Sequence, residues 1–421
     1  MIEINIENSR ISEKDLASGS VYKLVRKAHE IIRSQDRSIG TGWVELPVST
    51  TKADIQGIKR IAKSVQEDSD VMLVLGIGGS YLGAESAIKM LKREPKIEII
   101  FLGTDLNAYK LLKTLEYCKN KRVSVNCISK SGTTTETAIA FEMVEAFMQK
   151  KYKKNNEYKR RIYITTDYEE GYLCQHAKAE GYTMFGIPRS VGGRYSVLTP
   201  VGLFPMAVAG INIEKVMLGA QTAYKEDYEL KGELNPAYRY GAVRYLMQAK
   251  NRKLVELTTS FDDRMVGLLN WHKQLFAESE GKNGRGMFVS TAQYTTDLHS
   301  LGQFVQQGTP LLFETIFDVA QPEEDFMLEN INEKSPIYYL NGKLLSEVNH
   351  NAKLGVIKAH AEAKVPVVLI KIDNLNEESY GELVYTLETA CAISGLMLGI
   401  NPFNQPGVEA YKKYMKEAGK V

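Results

Sequence analysis

Short apolar runs bounded by turn residues recur along the 421-residue chain, with amphipathic stretches between them. Several runs are rich in β-branched residues and lack polar alternation, which is typical of strands covered on both faces. The predicted strands are residues 71–75, 97–102, 122–128, 161–165, 253–258, 287–290 and 365–372. Predicted helices include residues 83–92, 105–119, 136–151, 235–250 and 264–280. The alternation of strands and helices predicts parallel sheets joined by crossover helices.

The predicted strands fall into two groups, one before about residue 190 and one after about residue 250. The fold class that follows is α/β, with two doubly wound parallel sheets, each in a three-layer α/β/α arrangement. We expect four parts: an N-terminal segment (1–70), a first α/β subdomain (71–195), a second (196–400) and a C-terminal helical segment (401–421).

One uncharged stretch is long enough to cross a membrane. Nineteen residues without a charge separate Arg194 from Glu214. Because this stretch contains Pro200 and Pro205 among small and polar residues, it favours a buried helix after a polar loop. The N-terminus has no apolar run behind a basic cluster, so we expect no secretory signal.

Composition narrows the function classes. Apolar residues make up 44 % and charged residues 25 %, as in a globular protein. Lys and Arg number 53 and Asp and Glu 51, and the resulting net charge of +2 favours neither a nucleic-acid nor a membrane partner. Four cysteines without a C-x-x-C pair fit a reducing compartment, so we expect a cytoplasmic protein. The histidine spacing typical of metal sites does not occur, so we predict no metal site.

The first predicted strand runs into a glycine-rich turn at residues 76–83, and a predicted helix follows. Glycines allow a sharp turn and let backbone N–H groups approach a ligand. A helix N-terminus at the carboxyl end of a parallel strand is a site for anions and polar ligands. Tyr81 stands where the dinucleotide fingerprint G-x-G-x-x-G needs its last glycine, which disfavours NAD. A purely structural turn is the alternative.

A hydroxyl-rich loop, residues 129–137, follows the third predicted strand, and five Ser or Thr residues lie within its first seven positions. Thr133 and Glu136 have the spacing of a capping box, which predicts a helix start there. The remaining hydroxyls suit several hydrogen bonds to a phosphate dianion, assisted by the helix dipole. Because the chain has no Walker motif, we predict a phosphate other than a nucleoside triphosphate. A helix cap with surplus hydroxyls is the alternative.

Two later segments carry candidate charged groups. Arg194 is the last charged residue before the uncharged stretch, so we expect it to be desolvated. It could neutralise charge that develops in a reaction, or form a structural ion pair. Glu278 and Glu280 close a predicted helix that ends at Gly281, where the helix dipole disfavours carboxylates. A carboxylate kept there could act as a general base, or could lie at an exposed helix end.

A histidine and a lysine complete the candidates. His299 follows Thr295 and Thr296, either of which could be the N-cap of a helix. An imidazole at such a helix start could exchange protons near pH 7. Lys412 lies in a predicted closing helix, where taken alone it is typical of a surface lysine.

Taken in order, these segments resemble the phosphoglucose isomerase family in its shorter bacterial form. The segments are residues 76–83, 129–137, 192–196, 274–282, 296–299 and 405–412. The combination of Gly-Ile-Gly-Gly-Ser-x-Leu-Gly with Gly-Gly-Arg-Tyr-Ser is specific, whereas each shorter piece alone is not. The resemblance implies two sugar-isomerase (SIS) subdomains. It also implies an aldose–ketose isomerase that acts on a hexose 6-phosphate and needs no metal or organic cofactor.

The resemblance assigns roles to residues of this chain. Glu278, in the pattern E-S-x-G-K, corresponds to the base that moves a proton between C2 and C1 of the sugar. His299 and Lys412 correspond to the pair that opens the sugar ring, and Arg194 to the arginine that stabilises the enediolate-like intermediate. The residues that correspond to the phosphate loop are Ser129, Lys130, Ser131, Thr133 and Thr134. Those that correspond to sugar contacts are Gly79, Ser80, Gln274 and Gln405.

The resemblance also bears on assembly and on the competing interpretation. In the family the histidine reaches the active site from the neighbouring subunit, which implies at least a homodimer. Glu280 stands where many members have Asn, which adds a like charge two residues from Glu278. The alternative from another class is a non-catalytic regulator that binds sugar phosphates. Such a protein would keep the hydroxyl loop but would not need Glu278, His299 and Lys412 together.

Overall fold

The computed structural model describes residues 2–34, 37–92, 94–230 and 234–419. Within these ranges the chain forms two five-stranded sheets surrounded by helices. The strands are β1 (Ile2–Asn5), β2 (Val71–Leu75), β3 (Glu98–Leu102), β4 (Val123–Ile128), β5 (Ile162–Thr166), β6 (Thr183–Gly186), β7 (Val255–Ser260), β8 (Phe288–Gln293), β9 (Leu312–Val319) and β10 (Val367–Ile372).

The first sheet has the strand order β3-β2-β4-β5-β6, and all its strands are parallel. Every residue of β2 and β4 is buried, which explains the continuous apolar character of β2, while β4 also buries the polar Ser124 and Asn126. Because β2 comes first in the chain but lies between β3 and β4, the winding direction reverses beside it. Doubly wound sheets bind ligands outside the carboxyl ends of the strands at such a switch point. The loops after β2 and β4 therefore flank the expected binding crevice.

The second sheet has the order β1-β10-β9-β7-β8. Strands β7 to β10 are parallel, with β7 between β8 and β9, so the same reversal occurs beside β7. Strand β1 is antiparallel to β10 and pairs Ile2 with Ile372. The N-terminal segment thus supplies the edge strand of the second sheet.

Sixteen α-helices lie within the described ranges. They are α1 (Glu13–Leu16), α2 (Gly19–Ile32), α3 (Leu46–Ser49), α4 (Lys52–Asp68), α5 (Leu82–Leu91), α6 (Ala108–Tyr117), α7 (Thr135–Lys151), α8 (Tyr172–Glu180), α9 (Pro200–Ala209), α10 (Ile213–Asp227), α11 (Pro236–Ala249), α12 (Val266–Glu280), α13 (Gly302–Gln307), α14 (Leu345–Glu362), α15 (Glu377–Met397) and α16 (Glu409–Ala418). Each of the five predicted helices is confirmed, with its ends displaced by at most a few residues.

The core is built around helix α15, which is buried along almost its whole length and packs against α2, α10, α11 and α12. Helix α12 also packs against α5, the helix that follows β2, so α12 bridges the core and the first sheet. Helix α9, in the uncharged stretch, is buried from its second residue to its last. This confirms the predicted buried helix. In the part of the chain that the structure describes, no helix is both long and apolar enough to cross a membrane.

All seven predicted strands are confirmed, as is the α/β class with two predominantly parallel sheets. Strands β1, β6 and β9 lie outside the prediction. Strand β6 has only four residues, and β9 carries Glu314, Thr315 and Asp318, which interrupt its apolar pattern. The boundaries of the four predicted parts remain a prediction.

Candidate active site

The glycine-rich turn after β2 brings three parts of the chain into contact. A Cβ on Gly79 would lie 2.2 Å from the carbonyl oxygen of Gly193, so only glycine allows the two backbones to approach this closely. Gly78 has φ of +58°, a conformation that favours glycine, and a Cβ there would lie 2.7 Å from Nε2 of Gln274. Ser80 ends the same 3₁₀ turn. The turn is therefore packed between the segment that carries Arg194 and helix α12.

The hydroxyl-rich loop after β4 leads into α7 without a side-chain cap. Helix α7 begins at Thr135, and its N-cap residue, Thr134, makes no side-chain capping bond. The predicted capping box is wrong, because the Thr133 hydroxyl donates to Oγ of Ser131 at 3.0 Å instead. Ser131 and Thr133 are exposed, whereas Ser129 is buried and accepts a hydrogen bond from the backbone N–H of Gly132 at 3.1 Å. Exposed hydroxyls beside an uncapped helix N-terminus suit an anion.

Lys130 links this loop to the segment before Arg194. Its Nζ donates to the carbonyl oxygens of Arg189 at 2.7 Å and of Val191 at 3.1 Å. Burial lowers the pKa of Lys130, although the carboxylate of Asp167 opposes this shift. The ammonium group is thus engaged with the protein backbone.

Arg194 is buried, with 3 % of its surface exposed, as the sequence predicts. Its Nε donates to Oγ of Ser279 at 3.0 Å. Its Nη1 donates to Oε1 of Gln405 at 3.0 Å, and its Nη2 to the carbonyl oxygens of Pro402 at 3.0 Å and Asn404 at 3.2 Å. Arg194 therefore connects the end of α12 to the loop before α16.

Glu278 lies in the last turn of α12, between two polar partners. Its Oε1 is 3.3 Å from Nη1 of Arg194, and its Oε2 accepts a hydrogen bond from Nε2 of Gln274 at 3.1 Å. Gly281 is the C-cap residue, as predicted. The side chain is 26 % exposed, so it is neither a buried ion pair nor a free helix end. A carboxylate held in this way and still reachable is placed to exchange a proton with a bound molecule.

Lys412 lies on α16 and forms an ion pair with Glu409 at 2.8 Å. The hydrogen bond to Glu409 is the main reason why the pKa of Lys412 is raised, and the negative charge of Glu278 adds to the shift. The ammonium group is thus within electrostatic reach of Glu278.

His299 stands apart from the other predicted site residues. It is exposed at the end of a 3₁₀ helix, Thr296–His299, and its imidazole has no hydrogen bond to any residue in the described ranges. Thr295 takes the predicted N-cap position but makes no side-chain capping bond. One chain therefore brings Gly79, Arg194, Gln274, Glu278 and Gln405 into contact, whereas Lys412 contacts Glu409 and senses only the charge of Glu278, and His299 stands apart.

Comparisons with known proteins show which family this chain belongs to. The phosphoglucose isomerase family model matches residues 58–420. The chain belongs to the phosphoglucose isomerase family. A relative from Staphylococcus aureus named glucose-6-phosphate isomerase is 45 % identical over 406 residues, which cover 93 % of this chain and 91 % of the relative.

Solved structures show the same fold. The chain superposes with a TM-score of 0.90 on a hypothetical protein from Thermus thermophilus, at 25 % identity and with 99 % of both chains covered. It also superposes on a glucose-6-phosphate isomerase from Chlamydia trachomatis, with a TM-score of 0.80 and 16 % identity. That alignment covers 99 % of this chain and 88 % of the other, and it shows the fold alone. The resemblance stated from the sequence is confirmed, as is the SIS-type α/β fold.

Within this phosphoglucose isomerase family member, sequence reasoning missed two residues that hold the site together. Ser279 accepts the hydrogen bond from Nε of Arg194. Lys282 donates to the carbonyl oxygens of Ser279 at 2.6 Å and Asn401 at 2.7 Å, and burial, with the nearby charge of Arg194, lowers its pKa to about 8. Both residues belong to the pattern E-S-x-G-K, so their motif was visible, but their partners come from distant parts of the chain.

The structure also changes the interpretation of Glu280. Helical residues two positions apart do not share a face, and Glu280 points away from Glu278 into the core, where it is fully buried against Arg244. The expected like charge beside Glu278 is therefore not part of the site. Among the described residues, no group of three or more His, Cys, Asp or Glu side chains could hold a metal ion.

Proposed function

We propose that this chain interconverts glucose 6-phosphate and fructose 6-phosphate by aldose–ketose isomerisation. Membership of the phosphoglucose isomerase family and 45 % identity to a relative named for this reaction support the proposal. The observation that carries it is the placement of Glu278 between Arg194 and Gln274, beside the glycine-rich turn. A base, a cation and amide groups in one crevice are what a proton transfer between neighbouring sugar carbons requires.

The phosphate of the substrate binds at the hydroxyl-rich loop after β4. The exposed Ser131 hydroxyl donates a hydrogen bond to its oxygens, the exposed Thr133 hydroxyl turns from Ser131 to do the same, and the uncapped N-terminus of α7 adds favourable N–H dipoles. Lys130 holds the loop in place through its hydrogen bonds to two backbone carbonyl groups. Binding the phosphate here fixes one end of the sugar, so this binding energy is used to position the reacting carbons.

The proton transfer uses Glu278 as the general base. Its carboxylate takes the proton from C2 of open-chain glucose 6-phosphate, the electrons of the broken C–H bond form the C1–C2 double bond, and the electrons of the C1 carbonyl bond move to O1. The proton of the O2 hydroxyl passes to O1 by way of the cis-enediol, the C2 carbonyl forms, and Glu278 returns its proton to C1, which gives fructose 6-phosphate. Arg194, buried beside Glu278, stabilises the negative charge that develops on the sugar oxygens. Because this route only moves protons within one molecule, it needs no metal or organic cofactor.

Ring opening precedes this transfer and uses His299 with Lys412. His299 is exposed and unconnected to the other site residues of its own chain, so it is available to a second copy. We propose a homodimer or larger homo-oligomer in which His299 completes the active site of the neighbouring subunit. A cytoplasmic location fits the four cysteines, all of which are free thiols buried in the fold.

Deuterium labelling tests the activity directly. Fructose 6-phosphate is incubated with the protein in deuterated water without added cofactor, and proton NMR follows the sugar signals. We expect glucose 6-phosphate to form, with deuterium at C2 wherever the proton on Glu278 has exchanged with solvent before transfer. Binding of fructose 6-phosphate without conversion would overturn the proposal and favour a sugar-phosphate-binding regulator.

A further inference from the structure

A fully buried ionic cluster lies behind the last turn of α12. Arg244 on α11, Glu256 on β7 and Glu280 at the end of α12 are all inaccessible to solvent. Nη2 of Arg244 lies 2.8 Å from Oε2 of Glu280, and Nη1 forms an ion pair with Glu256. The ring of Phe276 covers the guanidinium, with its centroid 4.0 Å from Cζ of Arg244. One arginine thus joins the second sheet to the helix that carries Glu278.

Hydroxyl groups complete the surroundings of Glu256. The hydroxyls of Tyr240 and Thr315 each donate to Oε1 of Glu256 at 2.6 Å. Nε2 of His272 lies 3.1 Å from the Tyr240 oxygen. Burial, with the charge of Arg244, lowers the pKa of His272 well below its usual value, so the ring is neutral and its Nε2–H donates to Tyr240. These bonds fix Glu256, and through it the position of Arg244.

The opposite side of the same helical turn is held by Arg194. Arg194 binds Ser279 at 3.0 Å and lies 3.3 Å from Glu278, while Arg244 binds Glu280. Two buried arginines therefore hold three consecutive residues from opposite sides. A helix C-terminus disfavours carboxylates, and a buried carboxylate without a partner is strongly destabilising. Without Arg244, Glu280 could not stay buried, and the turn that carries Glu278 would have to move.

We propose that Arg244, acting through Glu280 and held by Glu256, is a positioning residue for the isomerisation. It fixes the last turn of α12 so that the Glu278 carboxylate lies at the reacting carbons. The proposal rests on the isomerase activity and on Glu278 as its base. Because all three residues are fully buried, they act through the helix and do not touch substrate. A displacement of about 1 Å can cost on the order of 100-fold in rate.

Substitution of Glu280 tests this inference with the full-length protein. Glu280→Ala frees the helix turn and leaves Arg244 paired with Glu256, so no carboxylate is left uncompensated. We expect kcat to fall by about 10- to 100-fold while KM for fructose 6-phosphate changes by less than about threefold. Glu280→Gln keeps an acceptor for Nη2 and should restore most of kcat. Glu280→Ala should also raise the deuterium content at C2 of the product, because a displaced base exchanges its proton with water before returning it.

A matched control separates positioning from general stability. Arg161 is also a buried arginine between two acids, Glu157 at 2.9 Å and Asp68 at 3.4 Å. It lies at the amino end of β5, whereas the candidate site lies at the carboxyl ends of the strands. Glu157→Ala should lower the melting temperature and leave kcat and the deuterium content unchanged. If Glu157→Ala lowered kcat as much as Glu280→Ala, the effect would be one of stability and the proposal would fail.

The outcomes also separate this proposal from the proposed function. If the wild-type protein did not isomerise fructose 6-phosphate, the function itself would fail, and the positioning role with it. If the wild-type protein were active, Glu278→Gln inactive, and Glu280→Ala folded with unchanged kcat and labelling, only the positioning role would be refuted. Should Glu280→Ala not fold, Arg244→Lys replaces it, because an ammonium lacks the planar fork that reaches both acids. A wild-type kcat in Arg244→Lys would equally refute the role.

Discussion

Replacing Glu278 with Gln removes a basic oxygen while nearly all of the site's contacts stay in place. Arg194 keeps its bonds to Ser279 and Gln405, each at 3.0 Å, and to two backbone carbonyl groups. The new amide oxygen can still accept from Gln274 or from Arg194, which lie 3.1 and 3.3 Å from the present carboxylate oxygens. Of the five contacts of the Arg194 guanidinium, therefore, only the ion pair with Glu278 loses its charge.

The expected loss follows from the chemistry of the lost group. A well-placed general base contributes about 10²- to 10⁴-fold in rate, which corresponds to about 3–5 kcal/mol of transition-state stabilisation. We expect Glu278→Gln to lower kcat within that range and to change KM for fructose 6-phosphate by less than about threefold, because phosphate binding is untouched. A coupled steady-state assay gives both constants, and proton NMR in deuterated water measures exchange at C1 and C2.

Glu180→Gln is the matched control. Like Glu278, Glu180 is a carboxylate in the last turn of a helix that ends at a glycine cap, and it forms an ion pair with Lys159 at 3.1 Å and is 31 % exposed. It lies on α8, outside the site, so its replacement should leave kcat unchanged. The reasoning is refuted if Glu278→Gln keeps more than about a tenth of the wild-type kcat, since a general base contributes at least about 100-fold.

Three further outcomes follow from the structure. Gly79→Ala should lower kcat/KM at least about tenfold and should also lower the melting temperature, because its Cβ would lie 2.2 Å from the carbonyl oxygen of Gly193. The control Gly355→Ala, where the new Cβ on α14 meets open space, should lower neither quantity. The double variant Ser131→Ala, Thr133→Val should raise KM at least about tenfold and weaken inhibition by inorganic phosphate by the same factor, because a hydrogen bond to a charged group is worth about 1.5–3 kcal/mol. An unchanged KM would show that the loop does not bind the phosphate. Burial raises the pKa of Asp227 from its usual 3.8 to about 8 in the folded protein. Between pH 3.8 and about pH 8 the folded protein therefore holds a proton that unfolding releases. The free energy of unfolding should fall by up to about 1.4 kcal/mol per pH unit across this range. Urea unfolding should show that Asp227→Asn stabilises the protein more at pH 8 than at pH 5, and a pH-independent difference would contradict this assignment.

The sequence predicts the elements that frame the site because their signals are local. The apolar run of β2, the glycines after it and the glycine cap of α12 each act within a few residues of their own position. Arg194 could be predicted as buried because it borders an uncharged stretch. In each of these cases the deciding neighbours lie close by in the chain.

Strand β9 was missed because the residues that decide its burial are distant in sequence. Strand β9 contains Glu314 and Thr315, which look unsuited to a central strand. Glu314 is nevertheless buried, because Tyr294 and His360 hydrogen-bond to it, and Thr315 donates to Glu256. No pattern within β9 reveals these partners.

Two other differences, the start of α7 and strand β1, have local causes. The hydroxyl of Thr133 could have capped a helix start, but it donates to Ser131, and α7 begins after Thr134 without a side-chain cap. Strand β1 is a different case, because Ile2 and Ile4 alternate with polar residues, and this period of two is typical of a strand with one exposed face. The alternating pattern of β1 was therefore sufficient to predict a strand, although the apolar run used for the other strands is absent there.

The last turn of α12 is stabilised by residues from both halves of the chain. It places two carboxylates where the helix dipole disfavours them, and each is compensated by a buried arginine from a different part of the fold. Arg194 follows the first sheet, whereas Arg244 is tied to Glu256 in the second sheet. A shift of either sheet would therefore reach Glu278 through its own arginine. The Glu278 carboxylate can therefore be held at a helix end that is unfavourable to it, because contacts with both parts of the fold stabilise the turn.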